Sequence, residues 1–301
     1  MVPKSIFKRL RVPAGQKIRL SDYDPNWDAI PELADLDKDT LKERSREVLA
    51  RNAKELSENQ DLLWANDVWS VLVVFQAMDT AGKDSAIKHV MSGLNPQGCQ
   101  VVAFKRPSDE ELDHNYLWRY SKALPERGRI GIFNRSHYEE VLVVRVREEV
   151  LQRQRLPPGK RNRKFWAQRY QDINAFERHL ARNGTVILKF FLHISKEEQR
   201  RRLLERLEDP HKHWKFQAGD LEERARWDQY MEAYEDAISA TSTRWAPWYI
   251  IPSDHKWVSR ALVGEVLCRT LRRLALKTPE VPESELAQFA KARRQLEKEG
   301  S

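Results

Sequence analysis

The sequence predicts an α/β domain built on a five-stranded parallel sheet with helices on both faces. Three observations carry this. Five short apolar runs, at 69–75, 99–104, 130–133, 186–192 and 248–251, are rich in Val, Ile and Phe and nearly continuous, the pattern of strands buried on both faces. Helical patterns lie between them, so strand and helix alternate as a parallel sheet requires. The first run then passes through a short turn, Ala77 to Gly82, directly into a helix opening at Lys83, the layout of a phosphate-binding loop.

In chain order, residues 1–37 carry Pro3, Pro13, Pro25 and Pro31 as breakers and read as an irregular cover over the domain. A helix over 39–64 follows, because Leu41, Val48, Leu49, Leu56 and Leu63 share one face while Glu, Lys and Arg fill the other. The strands then alternate with helices predicted at 84–93, 109–123, 164–182, 196–208 and 221–240. The basic stretch 153–164 with Pro157-Pro158-Gly159 reads as a loop. From Thr278 the tail ends in a charged amphipathic helix whose Leu286, Phe289 and Leu296 are spaced for docking. The chain thus divides into an N-terminal extension and helix (1–60), a main domain (61–277) and a helical tail (278–301), with no strong second-domain boundary.

Composition limits the function classes. Of 301 residues, 41% are hydrophobic and 33% charged, which suits one sizeable globular domain with appendages. Lys and Arg exceed Asp and Glu by 53 to 45, a net +8 that favours a polyanionic partner without saying which. Only Cys99 and Cys268 are present, each in an apolar pattern, so both read as core residues and neither a disulfide framework nor a zinc cluster has a basis. Lys4, Lys8, Arg9 and Arg11 are followed by no apolar leader segment, and no apolar run approaches the roughly 18 residues of a bilayer span. The expected compartment is the cytoplasm, with no membrane partner.

Three segments carry chemistry. In the turn Gln76-Ala-Met-Asp-Thr-Ala-Gly-Lys-Asp-Ser85, the backbone of Ala81 and Gly82 and the helix start at Asp84 and Ser85 are placed to cradle phosphate, and the Lys83 ammonium reaches the transferring group. The loop departs from a standard P-loop: Ala77 replaces its first Gly, Asp84 replaces its magnesium-binding hydroxyl, and Asp79 sits inside it. The third strand ends in Asn134-Arg-Ser-His-Tyr-Glu139, an abrupt switch to polar residues at the carboxyl end of a strand, where α/β sheets bind ligands. A helix cap at Asn134 with an Arg135–Glu139 pair one turn later explains that segment equally well when it is taken alone. At Ser195 a capping box opens a helix bearing Arg200, Arg201, Arg202 and Arg206; His211-Lys-His-Trp-Lys-Phe216 and a second capped helix follow. Two helices joined by a basic, aromatic hinge at about 195–225 suit a lid that brings cations over phosphates and excludes water. Pairing of these arginines with Glu198, Glu205 and Glu208 on a solvated face is the alternative.

Together with Gly93-Leu-Asn-Pro-Gln-Gly98, Tyr116-Leu-Trp-Arg119, Phe133 to Glu139, His213-Trp-Lys-Phe216 and Ala246-Pro-Trp-Tyr-Ile-Ile-Pro252, the loop resembles the ordered motifs of polyphosphate kinase family 2 over about residues 60–275. The resemblance implies a P-loop kinase fold with a helical lid, assembled as a homo-oligomer (dimer or tetramer), transferring the terminal phosphoryl of inorganic polyphosphate to ADP or AMP. It implies Asp79, Lys83, Asn134 and Arg135 as catalytic; Asp79 and Asn134 as ligands of magnesium, with manganese as an alternative; and Ala81, Gly82, Asp84, Ser85, Arg119, Tyr138 and Glu139 as nucleotide- or phosphate-binding. Arg200, Arg201, Arg206, Lys212 and Lys215 would reach polyphosphate from the lid. His89, His114, His137 and His193 read as structural, with His137 the one worth testing.

Asn134 bears on the acceptor: many relatives carry Asp there, while those accepting both nucleoside mono- and diphosphates resemble this chain in carrying Asn. Adenine nucleotides are the default, with guanine nucleotides a wider option. Two rivals stand beside this reading: an ATP-dependent nucleoside monophosphate kinase, and a nucleic-acid-binding module exploiting the +8 charge and the Lys/Trp/Phe cluster at 211–216.

Overall fold

A computed structural model describes residues 3–28 and 30–299. The five strands are β1 (Ser70–Gln76), β2 (Cys99–Ala103), β3 (Ile130–Asn134), β4 (Thr185–His193) and β5 (Trp248–Pro252). Their order is β2-β3-β1-β4-β5 and every pairing is parallel. β1 is therefore central, and its seven residues are all buried, as the unbroken run Val71–Phe75 demands. β3 lies beside it with Phe75 opposite Asn134, which sets the phosphate loop and the polar strand tip side by side.

Helices cover both faces. Lys38–Asn66 packs against Lys256–Arg273, and Arg163–Arg182 against Trp227–Thr241. The first begins where Asp37 accepts from the amides of Asp39 (3.0 Å) and Thr40 (2.9 Å), and it ends at Asp67 in the left-handed region. It runs through the expected boundary at residue 60.

Five expectations need correction. β2 is an edge strand with Gln100, Val101 and Ala103 exposed, so its apolar run does not mean burial on both faces, and Cys99 at its start is only half-buried while Cys268 is core. The N-terminal segment is not irregular: Pro3 precedes a helix at Lys4–Leu10 that buries Ile6, Phe7 and Leu10, a position where a missing N–H costs nothing. Beyond it Val12 donates to the Trp248 carbonyl (2.9 Å) and Arg11 bridges Tyr249, which covers the β5 edge. The helix expected over 109–123 is two pieces, Asp109–Asp113 and Trp118–Lys122, because Asn115 accepts from the Leu117 amide and makes a turn of its own. That expected over 221–240 breaks at Arg226 into Gly219–Ala225 and Trp227–Thr241. The tail helix Glu283–Glu299 leaves Leu286, Phe289 and Leu296 exposed, docked on nothing among the described residues.

Candidate active site

The turn from β1 to the helix Lys83–Val90 closes with two left-handed residues, Thr80 (φ 65°) and Gly82 (φ 106°). A Cβ on Gly82 would meet nothing closer than the Lys256 side chain at 3.8 Å, so it is the backbone angle and not space that calls for glycine. Lys83 folds back and donates to the carbonyls of Ala77 (2.7 Å) and Met78 (3.4 Å). Burial holds its ammonium below the usual lysine pKa, against the opposing pull of Asp79.

Across from the loop, Arg135 also takes a left-handed backbone (φ 65°), strain of order 1 kcal/mol for a residue with a Cβ. Its guanidinium lies 3.5 Å from the Asp79 carboxylate. Glu139 chiefly, with Asp79 adding to it, holds Arg135 above the ordinary arginine pKa. Asn134 donates from Nδ2 to Asp84 Oδ1 at 2.5 Å, which leaves its own amide oxygen free of that contact.

Two chambers meet at this point. The larger, 1020 Å³, is lined by Lys83, Lys88, Lys105, Arg106, Arg135, Arg202, Arg206, Lys212, Lys215 and Lys256, against the carboxylates of Asp79, Asp84, Glu205 and Asp220. The smaller, 410 Å³, is lined by Met78, Phe104, Pro107, Leu112, Val143 and Val150, with Arg119, Arg147 and Glu139 among the polar groups. Asp79, Arg135, Phe104, Lys105 and Arg106 belong to both. A polyanion fits the first by charge; a compact molecule with an apolar body and a charged end fits the second.

The segment expected to form a lid folds as the helices Lys196–Glu208 and Gly219–Ala225 with the turn Pro210–Lys215 between them. Arg206 donates to Asp220 (3.1 Å), and Lys212 pairs with Glu205 (2.5 Å) and Asp209 (3.0 Å), so these cations enter the larger chamber already partnered. Lys215 lies 5.0 Å from the ring of Trp214, itself 77% exposed at the chamber mouth. Burial and the charge of Asp79 raise the Asp220 carboxyl.

Of the residues the sequence singled out, Asp79, Gly82, Lys83, Asp84, Ser85, Asn134, Arg135, Arg206, Lys212 and Lys215 all line the larger chamber. Ala81, within the loop, is buried. Ser85 accepts from Arg260 at 2.5 Å. Arg119 lines the smaller chamber, fixed by donation to the Lys105 carbonyl (2.9 Å), Glu111 (3.3 Å) and the Tyr120 hydroxyl (2.8 Å) over the rings of Phe104 and Tyr120. Arg200 and Arg201 lie outside both chambers, exposed and paired on their own helix with Glu197 and with Glu198 and Glu205, the solvated-face arrangement. Tyr138 is not at the surface of the site: its hydroxyl donates to Glu177 (2.9 Å) in a fully buried network where Lys189 reaches Glu177 (2.7 Å), the Tyr138 hydroxyl (2.8 Å) and the Thr241 carbonyl (2.8 Å). Burial pushes Lys189 down to about 8. His137 joins the same network through Glu177 at 3.2 Å, fully buried and outside both chambers.

Sequence reasoning passed over Lys105, Arg106 and Lys256, and it placed Arg202 in the lid-helix arginine cluster without singling it out. The first two follow the β2 run directly, Phe104-Lys-Arg-Pro107, and the strand-tip rule that singled out Asn134 applies to them equally. Arg202 sits in the same arginine run as Arg200 and Arg201 and is 4% exposed where they are surface residues; only its place on the helix face tells them apart. Nothing in the local sequence announces Lys256.

Magnesium, where bound by one or two carboxylates and substrate phosphates, needs no closed protein cage. No group of three or more His, Cys, Asp or Glu able to hold a metal occurs among the described residues, while Asp79, Asp84 and the Asn134 amide share one chamber wall beside the phosphate loop. Oxygen donors of that kind fit magnesium or manganese carried in with a phosphate chain. No helix among the described residues is long and apolar enough to cross a membrane.

Known proteins resemble this chain over most of its length. Residues 39–279 match the family described as Polyphosphate kinase 2 (PPK2). The chain is 47% identical over 290 residues to an ADP-polyphosphate phosphotransferase of Rhodopseudomonas palustris, spanning 96% of this chain and 98% of that protein. It is 46% identical over 273 residues to an AMP/ADP-polyphosphate phosphotransferase of Meiothermus ruber, spanning 91% and 96%. The crystal structure of Polyphosphate Kinase 2 from Arthrobacter aurescens TC1 superposes with a TM-score of 0.82 at 39% identity, covering 94% of this chain and 96% of that one. With a match across most of its length, the chain belongs to the polyphosphate kinase 2 family.

Proposed function

We propose that this protein transfers the terminal phosphoryl of inorganic polyphosphate to ADP, giving ATP, and to AMP, giving ADP, in a reversible reaction. The observation that carries the proposal is the pair of chambers sharing a wall at Asp79 and Arg135, one lined by cations and large enough for a phosphate chain, the other apolar with a charged end. The relatives named for ADP and for AMP/ADP acceptors fit the same division.

Phosphoryl transfer asks for alignment and charge neutralisation and little covalent chemistry. Donor chain enters the larger chamber, where Arg206, Lys212, Lys215 and Lys256 hold its length and the phosphate loop takes its end. Lys83 exchanges the carbonyls of Ala77 and Met78 for phosphate oxygens, which restores a charged partner to a buried ammonium. The acceptor base and ribose occupy the smaller chamber, with Arg119 and Arg147 toward its phosphates. Arg135, at the shared wall, bridges donor and acceptor and stabilises charge that develops between them. The acceptor oxygen is an anion at neutral pH, so no strong general base is needed. Asp79, Asp84 and Asn134 would hold magnesium, or manganese, which when bound supplies Lewis-acid neutralisation of the phosphates. Asn134 in place of a carboxylate lowers negative charge beside the transferring phosphates, which suits both mono- and diphosphates.

Incubation with magnesium, long-chain polyphosphate and AMP alone, followed by nucleotide separation, tests this: ADP and then ATP should appear. Conversion of ADP but not AMP would restrict the acceptor to diphosphates; transfer to AMP from ATP without polyphosphate, at the same rate, would favour the monophosphate-kinase reading instead. GDP and GMP in the same assay define the base range. We further propose a homo-oligomer, dimer or tetramer, which light scattering on the purified protein measures.

A further inference from the structure

We infer that Gln199 and Arg202, two buried residues one turn apart on the lid helix Lys196–Glu208, are positioning residues that hold the phosphate loop in its transfer geometry. The loop's carbonyls are accounted for one by one. Those of Ala77 and Met78 accept from Lys83. That of Asp79 accepts from Gln199 Nε2 at 3.1 Å, and those of Thr80 and Ala81 accept from one Arg202 nitrogen at 3.0 and 3.1 Å. Three successive peptides thus turn their oxygens to one helix face.

In a trans peptide the C=O and the following N–H point in opposite directions, and the described residues contain no cis bond. The peptides that face the lid helix with oxygen therefore aim the N–H groups of Thr80, Ala81 and Gly82 away from it. Ala81 closes the turn on the Met78 carbonyl (3.3 Å), and those of Thr80 and Gly82 are left for phosphate oxygens in the larger chamber. Without the lid-helix contacts, the left-handed residues Thr80 and Gly82 would have little to prevent a peptide flip that presents carbonyls to the anion instead.

The same two side chains tie the loop to the rest of the site. Arg202 spends its remaining donors on Glu198 (2.7 Å) and on the carbonyls of Ser253 and Asp254 (both 2.8 Å), beyond the end of β5. Gln199 accepts at Oε1 from Arg224 (3.0 Å), which lies past the hinge on Gly219–Ala225. The loop carrying Asp79 is thereby linked through one amide to both lid helices.

This inference rests on the proposed polyphosphate transfer, and its test separates the two. Gln199→Glu keeps an acceptor for Arg224 but sets an oxygen against the Asp79 carbonyl. It should raise the polyphosphate KM and lower kcat, each by about tenfold, with the nucleotide KM within about twofold and the melting temperature little changed. A role confined to stability would lower the melting temperature and leave the rates of the folded protein alone. Wild-type kcat and polyphosphate KM in Gln199→Glu would overturn the inference. On the unmodified protein, hydrogen exchange should show the Thr80 and Gly82 amides gaining protection on adding polyphosphate while Ala81 changes little; no gain at Thr80 and Gly82 would also overturn it. Failure of the wild-type protein to use polyphosphate at all would sink the proposed function instead.

Discussion

The larger chamber draws its cations from separate elements: the phosphate-loop helix, the end of β2, the lid and the start of Lys256–Arg273. Lys88, Lys105, Arg106 and Lys256 form no ion pair among the described residues. In the smaller chamber, away from the shared wall, Arg119, Arg147 and Glu140 are fixed in advance: Arg119 on Glu111 and a carbonyl, Arg147 on Glu149 (2.6 Å) and Glu223 (2.5 Å), Glu140 on Arg169 (3.3 Å). The contrast fits the two substrates. A polymer of repeating phosphates needs long, adaptable cations that tolerate many registers, whereas a nucleotide of one shape is best met by rigid, preorganised groups.

Experiments at the wall the chambers share should give the largest effects, since it serves both. Chelation by EDTA should abolish turnover in either direction, and added magnesium or manganese should restore it. Lys83→Met and Asp79→Asn should each lower kcat by about 10²–10³-fold with the melting temperature nearly unchanged; near-normal activity in Asp79→Asn would remove that residue from the chemistry. Next come changes specific to one chamber. Arg119→Ala should raise the nucleotide KM by about tenfold, with the polyphosphate KM within about twofold. Lys256→Ala should do the reverse by about threefold, and should flatten the dependence of polyphosphate affinity on salt, as loss of one phosphate contact does. If both variants move both constants equally, the division into two chambers fails. The smallest effect belongs to Arg200→Ala and Arg201→Ala, whose exposed pairs within one helix are worth about 0.5 kcal/mol or less and whose kinetics should match wild type.

Much of this was readable in advance because the signals are local. A continuous run such as Val71–Phe75 has few alternatives to a buried strand, and the step from Phe133 to Asn134 marks the functional end of β3 without any knowledge of the neighbours. The lid helix begins at its capping serine and ends at Glu208 as its pattern predicts. What stayed hidden depends on three dimensions. Arg201 and Arg202 are adjacent and identical in type; one is solvated and the other is held by five acceptors, a difference set by which face of the helix meets the phosphate loop. Val101 looks like core and lies on an edge, because strand order is not written in strand composition. Tyr138 stands in a strand-tip motif and points away from the tip, into a charge network completed by Lys189 and Glu177 from distant segments.

The N-terminal segment decides how this protein is best handled as a catalyst. Ile6, Phe7, Leu10 and Val12 lie in the same core cluster as Trp248, and Arg11 and Val12 close the β5 edge. Trimming residues 3–12 would bare that edge to other strands and invite aggregation, whereas the tail helix Glu283–Glu299 buries nothing among the described residues. A fusion partner or a surface tether for nucleotide regeneration therefore belongs at the C-terminal end, with the opposite end left untouched.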